Sequence, residues 1–158
     1  TYIGNPVCCA ASIATIKIMK ENKLNERALV IGNYIMDRFN ILKSEFPEIG
    51  DVRGVGAMTA IEFVKDGDPQ NPDSEICGEI IKGCSENGLI IISAGTHKNV
   101  LRILSPLVIT DVQLKKGMEI LESEIKKAIK NLNKKNNEGK LYNSHILFYL
   151  IYYSKSTR

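Results

Sequence analysis

Arg102 is the residue in this chain best suited to bind a ligand. It lies in Asn99-Val100-Leu101-Arg102-Ile103-Leu104-Ser105-Pro106-Leu107. Strand alternation puts Val100, Arg102 and Leu104 on one face and Leu101 and Ile103 on the other. A guanidinium thus sits in a row of apolar side chains, where arginine is almost never left without a partner. A rigid fork of N–H donors on a strand can grip a carboxylate with two parallel hydrogen bonds. The plainer reading is an edge-strand arginine paired with a carboxylate of its own chain.

Other candidate chemistry is sparse. Cys8 and Cys9 are adjacent, and Cys77 and Cys84 lie seven apart on an expected helix. Seven residues span roughly 10 Å along a helix axis, too far for a disulfide. No CxxC occurs, and only His97 and His145 could add imidazole. The expectation is no metal site and four reduced, structural thiols in a cytoplasm. Gly54-Val55-Gly56 is a weak phosphate-loop signal, because the next segment reads as a strand. Its glycines are read as a bend or bulge. Arg53 and Glu62 are expected to pair, and His97 is a loop histidine with no assigned role.

The elements around these residues can be read from caps and periodicity. Asn5 and Pro6 start a helix that runs to about residue 21. Val7 to Met19 leave it almost no polar face, so it is expected to be buried. Such a helix connects two domains or forms the centre of one. A second helix, capped by Asn25, carries Ala28, Gly32, Ile35, Phe39, Leu42 and Phe46 on one face and ends at Pro47. Residues 65 to 72 form a surface loop. Asn71-Pro72 starts a third helix with Ile76, Ile80, Ile81 and Cys84 inward, and Asn87-Gly88 ends it. Leu89 to Ser93 reads as a buried strand. Thr110 and Gln113 form a capping box for a last helix with Leu114, Met118, Leu121, Ile125, Ala128 and Leu132 inward. Glu122 and Lys126 are expected to pair on its wet side. Lys134 to Asn137 reads as a polar linker, and His145 to Tyr153 as an apolar stretch too short to span a bilayer.

Composition sets limits on the function. The 158 residues carry 21 basic and 18 acidic side chains, a net charge of +3. That balance argues against a nucleic-acid or membrane partner. The chain opens at Thr1 on a turn with no charged leader, which reads as a fragment or a processed piece.

Three segments together resemble the class III aminotransferases, fold-type I enzymes that use pyridoxal phosphate (PLP). They are Thr1-Tyr2-Ile3-Gly4-Asn5-Pro6, Asp51-Val52-Arg53-Gly54-Val55-Gly56-Ala57-Met58, and Gly88 to Thr96 followed by Asn99-Val100-Leu101-Arg102. The 4-aminobutyrate group is the nearest match, through Ser93-Ala94-Gly95-Thr96, and the likeness covers residues 1 to about 131. It implies an α+β fold, the C-terminal small domain of the PLP-dependent transferase fold, preceded by the interdomain helix. The implied division is 1–22 (end of the large domain and that helix), 23–133 (small domain) and 134–158 (a tail unlike the family). It assigns Arg102 to the carboxylate of the amino acid or oxo acid substrate. It assigns Thr1 to the PLP phosphate of the partner subunit in a homodimer, although Ile3 replaces the family's small residue there. No lysine matches the Schiff-base motif, so the chain alone is expected not to transaminate. An acetylornithine- or ornithine-type enzyme and a non-catalytic interaction module remain as alternatives.

Overall fold

The computed structural model describes residues 3–155, with side chains described for residues 3–135. Four helices and four strands follow in the order α1 (Pro6–Glu21), α2 (Leu24–Glu45), β1 (Ile49–Val55), β2 (Met58–Phe63), α3 (Ser74–Glu86), β3 (Ile92–Ala94), β4 (Val100–Leu104) and α4 (Asp111–Lys155). The architecture is α+β: an antiparallel sheet ordered β1-β2-β4-β3, with helices packed on one face.

The core forms where the apolar stripes meet that face. Ile31, Ile35, Phe39 and Leu42 of α2 join Ile76, Cys77, Ile80 and Cys84 of α3. Met118, Leu121 and Ile125 of α4 close it against Ile61, Phe63 and Leu101. These positions are the stripes expected from sequence, with Ile31, Cys77 and Ile129 added. The β1–β2 hairpin turns at Gly56, whose φ is +54°. The hairpin tip lies so close to α2 that a Cβ on Gly32 would sit 1.9 Å from the Gly56 carbonyl oxygen. A glycine is required there because backbone meets backbone.

Several local expectations are corrected. No residue of α1 is buried, although the helix is apolar nearly all round. Val7, Ile13, Ile16 and Ile18 are all more than half exposed, so the reading as a core helix of this domain fails. The cap of α2 is Lys23 in the left-handed region, not Asn25. The chain kinks directly after α1, and the new helix begins before an asparagine could cap it. Asp73, not Asn71, caps α3, because residues 65–72 fold back into a closed loop with a bridge between Val64 and Pro72. The strand expected at Leu89–Ser93 shrinks to Ile92–Ala94 at the sheet edge, with Ile90 exposed. Its apolar run covers α4 and the groove described below instead of entering a sheet interior. Glu122 pairs with Arg38 across to α2, and Lys126 with Glu45, so tertiary neighbours displace the expected i,i+4 pair. The backbone of α4 stays helical through the expected linker at 134–137, a stretch with no proline to stop it.

Other local readings are realised. The Asn5 side chain accepts from Val7 N at 2.9 Å and Cys8 N at 3.4 Å. Thr110 Oγ1 accepts from Gln113 N at 3.2 Å while Thr110 N donates to Gln113 Oε1 at 3.1 Å. Asn87 closes α3 and Gly88 follows at a φ of +81°.

Candidate functional site: an unpaired arginine on the open face of the sheet

Register decides which side chains share the face without helices. Arg53 stands opposite Ala60, Ala60 opposite Arg102, and Arg102 opposite Ile92. Neighbouring rows place Val55, Met58 and Leu104 together, and Glu62 opposite Val100. Val55, Met58, Ile92 and Leu104 are all more than half exposed. This face therefore carries apolar side chains with two guanidiniums among them.

The two guanidiniums differ in their partners. Arg53 Nη1 donates to Asp51 Oδ2 at 2.7 Å and to Glu62 Oε2 at 2.6 Å. These bonds hold the Asp51 carboxyl below its ordinary range and push the Arg53 pKa up. The other oxygen of Glu62 accepts from the Asn99 amide at 3.3 Å. The carboxylates in this row are thus already engaged. Arg102 has no ion pair or side-chain hydrogen bond among the described residues. Arg27, Arg38 and Arg53 each have a carboxylate partner.

Arg102 is also not on an edge strand, since β4 lies between β2 and β3. Both features of the plainer reading, edge position and an internal partner, are absent. What remains is an exposed, charged fork on a strand held from both sides. Ala60 beside it leaves the fork unobstructed. A carboxylate approaching this face would meet two parallel donors and no competing anion.

Asn99, missed in the sequence reading, fixes the start of that strand. It is 3% exposed, and its side-chain amide donates to the Phe63 carbonyl at 2.9 Å as well as to Glu62. It therefore ties β4 to the end of β2 and sets the register that brings Arg102 opposite Ala60. The available signal was an amide placed directly before an apolar strand. His97 is exposed in the preceding turn, in keeping with its reading as a solvated loop residue.

Arg102 lines one side of a groove of about 480 Å³, with Ile92, Leu104, Ser105, Leu114 and Met118 among its other walls. Ser105 Oγ is buried there without a hydrogen-bond partner among the described residues. Among those residues no three His, Cys, Asp or Glu side chains group as metal ligands. Every described lysine is solvent-exposed, so no enclosed lysine pocket exists within them. Thr1, the expected phosphate contact, lies outside the described residues.

The fold and site thus define a small α+β domain with a carboxylate-gripping arginine on a helix-free sheet face. The class-III aminotransferase family model matches residues 1–125, and the chain belongs to that family. It is 43% identical over 121 residues to the 4-aminobutyrate aminotransferase GabT of Escherichia coli K12, covering 77% of this chain and 28% of that protein. It is 44% identical over 126 residues to an alanine/serine racemase of Pyrococcus horikoshii, covering 80% of this chain and 26% of the racemase. A transaminase structure from the marine bacterium Virgibacillus superposes with a TM-score of 0.72 at 29% identity, over 84% of this chain and 31% of the other. The chain spans under a third of the length of these relatives.

Proposed function

We propose that this chain is the C-terminal part of a PLP-dependent aminotransferase that moves an amino group from 4-aminobutyrate, or a similar ω-amino acid, to an oxo acid such as 2-oxoglutarate. The observation that carries this reading is Arg102, the one described arginine without a carboxylate partner, on an ordered central strand. Its task is to hold the substrate carboxylate and so position the amine-bearing carbon. Asn99 and Ala60 position it, through register and through clearance.

PLP, when bound in the complete enzyme, supplies the electron sink for the reaction. The described residues do not complete a site for it, because no lysine among them is enclosed. We therefore assign the Schiff-base lysine to the rest of the protein and expect this chain alone to be inactive. Thr1 is proposed to contact the cofactor phosphate across a homodimer interface. A cytoplasmic setting suits four free cysteines. Among the described residues, no helix is long and apolar enough to cross a membrane.

The likeness to a racemase supports a second reading, since a carboxylate grip serves racemisation of an amino acid equally well. The full-length protein carrying this segment separates the two. Mixed with 4-aminobutyrate and 2-oxoglutarate, it should form glutamate. Interconversion of alanine or serine enantiomers without any oxo acid, and no glutamate, would replace the aminotransferase reading.

A further inference from the structure

A second groove lies away from Arg102, where β2 ends. Two acidic residues are clamped to consecutive backbone positions there. Val64 N donates to the Glu48 carbonyl at 2.8 Å, and Asp73 N donates to the Phe63 carbonyl at 3.0 Å. The Glu48 residue is 9% exposed and Asp73 is 1% exposed. One oxygen of each carboxylate is occupied. Glu48 Oε1 accepts from the Asn133 amide at 3.0 Å, and Asp73 Oδ1 accepts from Glu75 N and Ile76 N at 3.0 and 3.1 Å. The second oxygens, Glu48 Oε2 and Asp73 Oδ2, are buried with no hydrogen-bond partner among the described residues. Both residues line a groove of about 420 Å³ that also includes Asp66, Glu75, Val64 and Leu132.

A buried carboxylate oxygen without a donor is costly, so the groove favours an occupant that brings N–H or O–H groups and positive charge. Lys65 lines the same groove but makes no ion pair among the described residues. A divalent metal does not suit the site, because no three ligating side chains converge in the described structure. A primary ammonium does suit it: it offers three donors, and an attached alkyl stem can lie on Val64 and Leu132. Asp66 and Glu75 would repel a carboxylate on the same molecule, so the occupant is not an amino acid. We propose that this groove binds a primary alkylammonium group, its head between Glu48 and Asp73 and its stem on Val64 and Leu132. A free amine and the side chain of a partner's lysine share this chemistry.

The test is a methyl NMR titration of the 158-residue chain with n-propylammonium chloride at constant ionic strength. Sodium chloride, tetramethylammonium chloride and 4-aminobutyrate serve as controls, and a short lysine-containing peptide tests the protein source. Saturable shifts at the Val64 and Leu132 methyls are expected with propylammonium but not with the three controls. A tighter response to the peptide would assign the site to a partner's lysine; propylammonium alone would assign it to free amines. Glu48→Gln and Asp73→Asn keep the occupied acceptor oxygens, and each should weaken binding about tenfold. If one variant does not fold, the other and the native titration still decide. Absence of saturable shifts, equal shifts with tetramethylammonium, or native affinity in the folded variants would overturn the proposal.

Discussion

On the helix-covered side of the sheet, Thr59, Ile61, Phe63 and Leu101 are at most 1% exposed. On the other side, Met58, Ile92 and Leu104 are more than half exposed, and Arg102 has no partner. One backbone supports both faces, and residues one position apart on β2 and β4 meet opposite environments. The covered face is satisfied within the chain, and its side chains contribute to folding. The open face is unsatisfied within the chain, and the same holds for α1, whose apolar residues are all exposed. Contiguous apolar surface left uncovered marks an interaction surface. The difference separates what this chain needs to fold from what it offers to substrate and to the rest of the protein.

That contrast should appear first, and most strongly, in thiol reactivity. Cys8 and Cys9 are exposed on α1, whereas Cys77 and Cys84 are buried. Burial pushes the Cys77 thiol up to about 12 and Cys84 up to about 11. At pH 8 only roughly one Cys77 in ten thousand would be thiolate, even before access is considered. Maleimide labelling of the folded chain, mapped by peptide mass, should modify Cys8 and Cys9 and spare the other two. Rapid labelling of Cys77 would break the distinction between covered and open regions.

Stability effects should divide the same way. Phe63→Ala should cost about 3–5 kcal/mol in urea denaturation. Leu104→Ala, on the open face, should change stability by less than about 0.5 kcal/mol. Gly32→Ala should cost about 1–3 kcal/mol, because the new Cβ displaces the hairpin tip at Gly56. The smallest effect is electrostatic. The Asp51 carboxyl is held low by Arg53, so it contributes stability above the ordinary carboxylate range near pH 4, roughly. That contribution fades as pH falls through the depressed value. Arg53→Ala should therefore narrow the gap in urea midpoint between pH 6 and pH 3. The pair is half exposed, so the narrowing will be small.

Where a residue type strictly constrains geometry, the sequence was informative. Alternation around Arg102, the Thr110–Gln113 box, the Asn87–Gly88 stop and the Arg53–Glu62 pair all depend on near neighbours or on period, and all are present. The misses share a cause in long-range packing. Asn25 was an eligible cap, but the kink at Lys23 had already begun α2. Leu89–Ser93 was apolar enough for a strand, but α4 and the groove used most of it. Glu122 had a partner four residues away, and Arg38 of α2 took it instead. The burial expected for α1 depends on chain that these residues do not supply. Asn99 was overlooked because its value lies in Phe63 and Glu62, which are 36 and 37 positions distant.

The most direct test of the central claim asks whether Arg102 recognises a carboxylate. In the full-length protein, native and Arg102→Ala forms should be compared with 4-aminobutyrate and with n-butylamine, which has the same carbon chain without the carboxylate. Loss of the fork should lower kcat/KM for 4-aminobutyrate by roughly a hundredfold, equivalent to about 3 kcal/mol, and Arg102→Lys should restore little of it. The already low rate with n-butylamine should be nearly unchanged. Equal losses on both amines, or none on 4-aminobutyrate, would contradict the assignment of Arg102 as the carboxylate anchor.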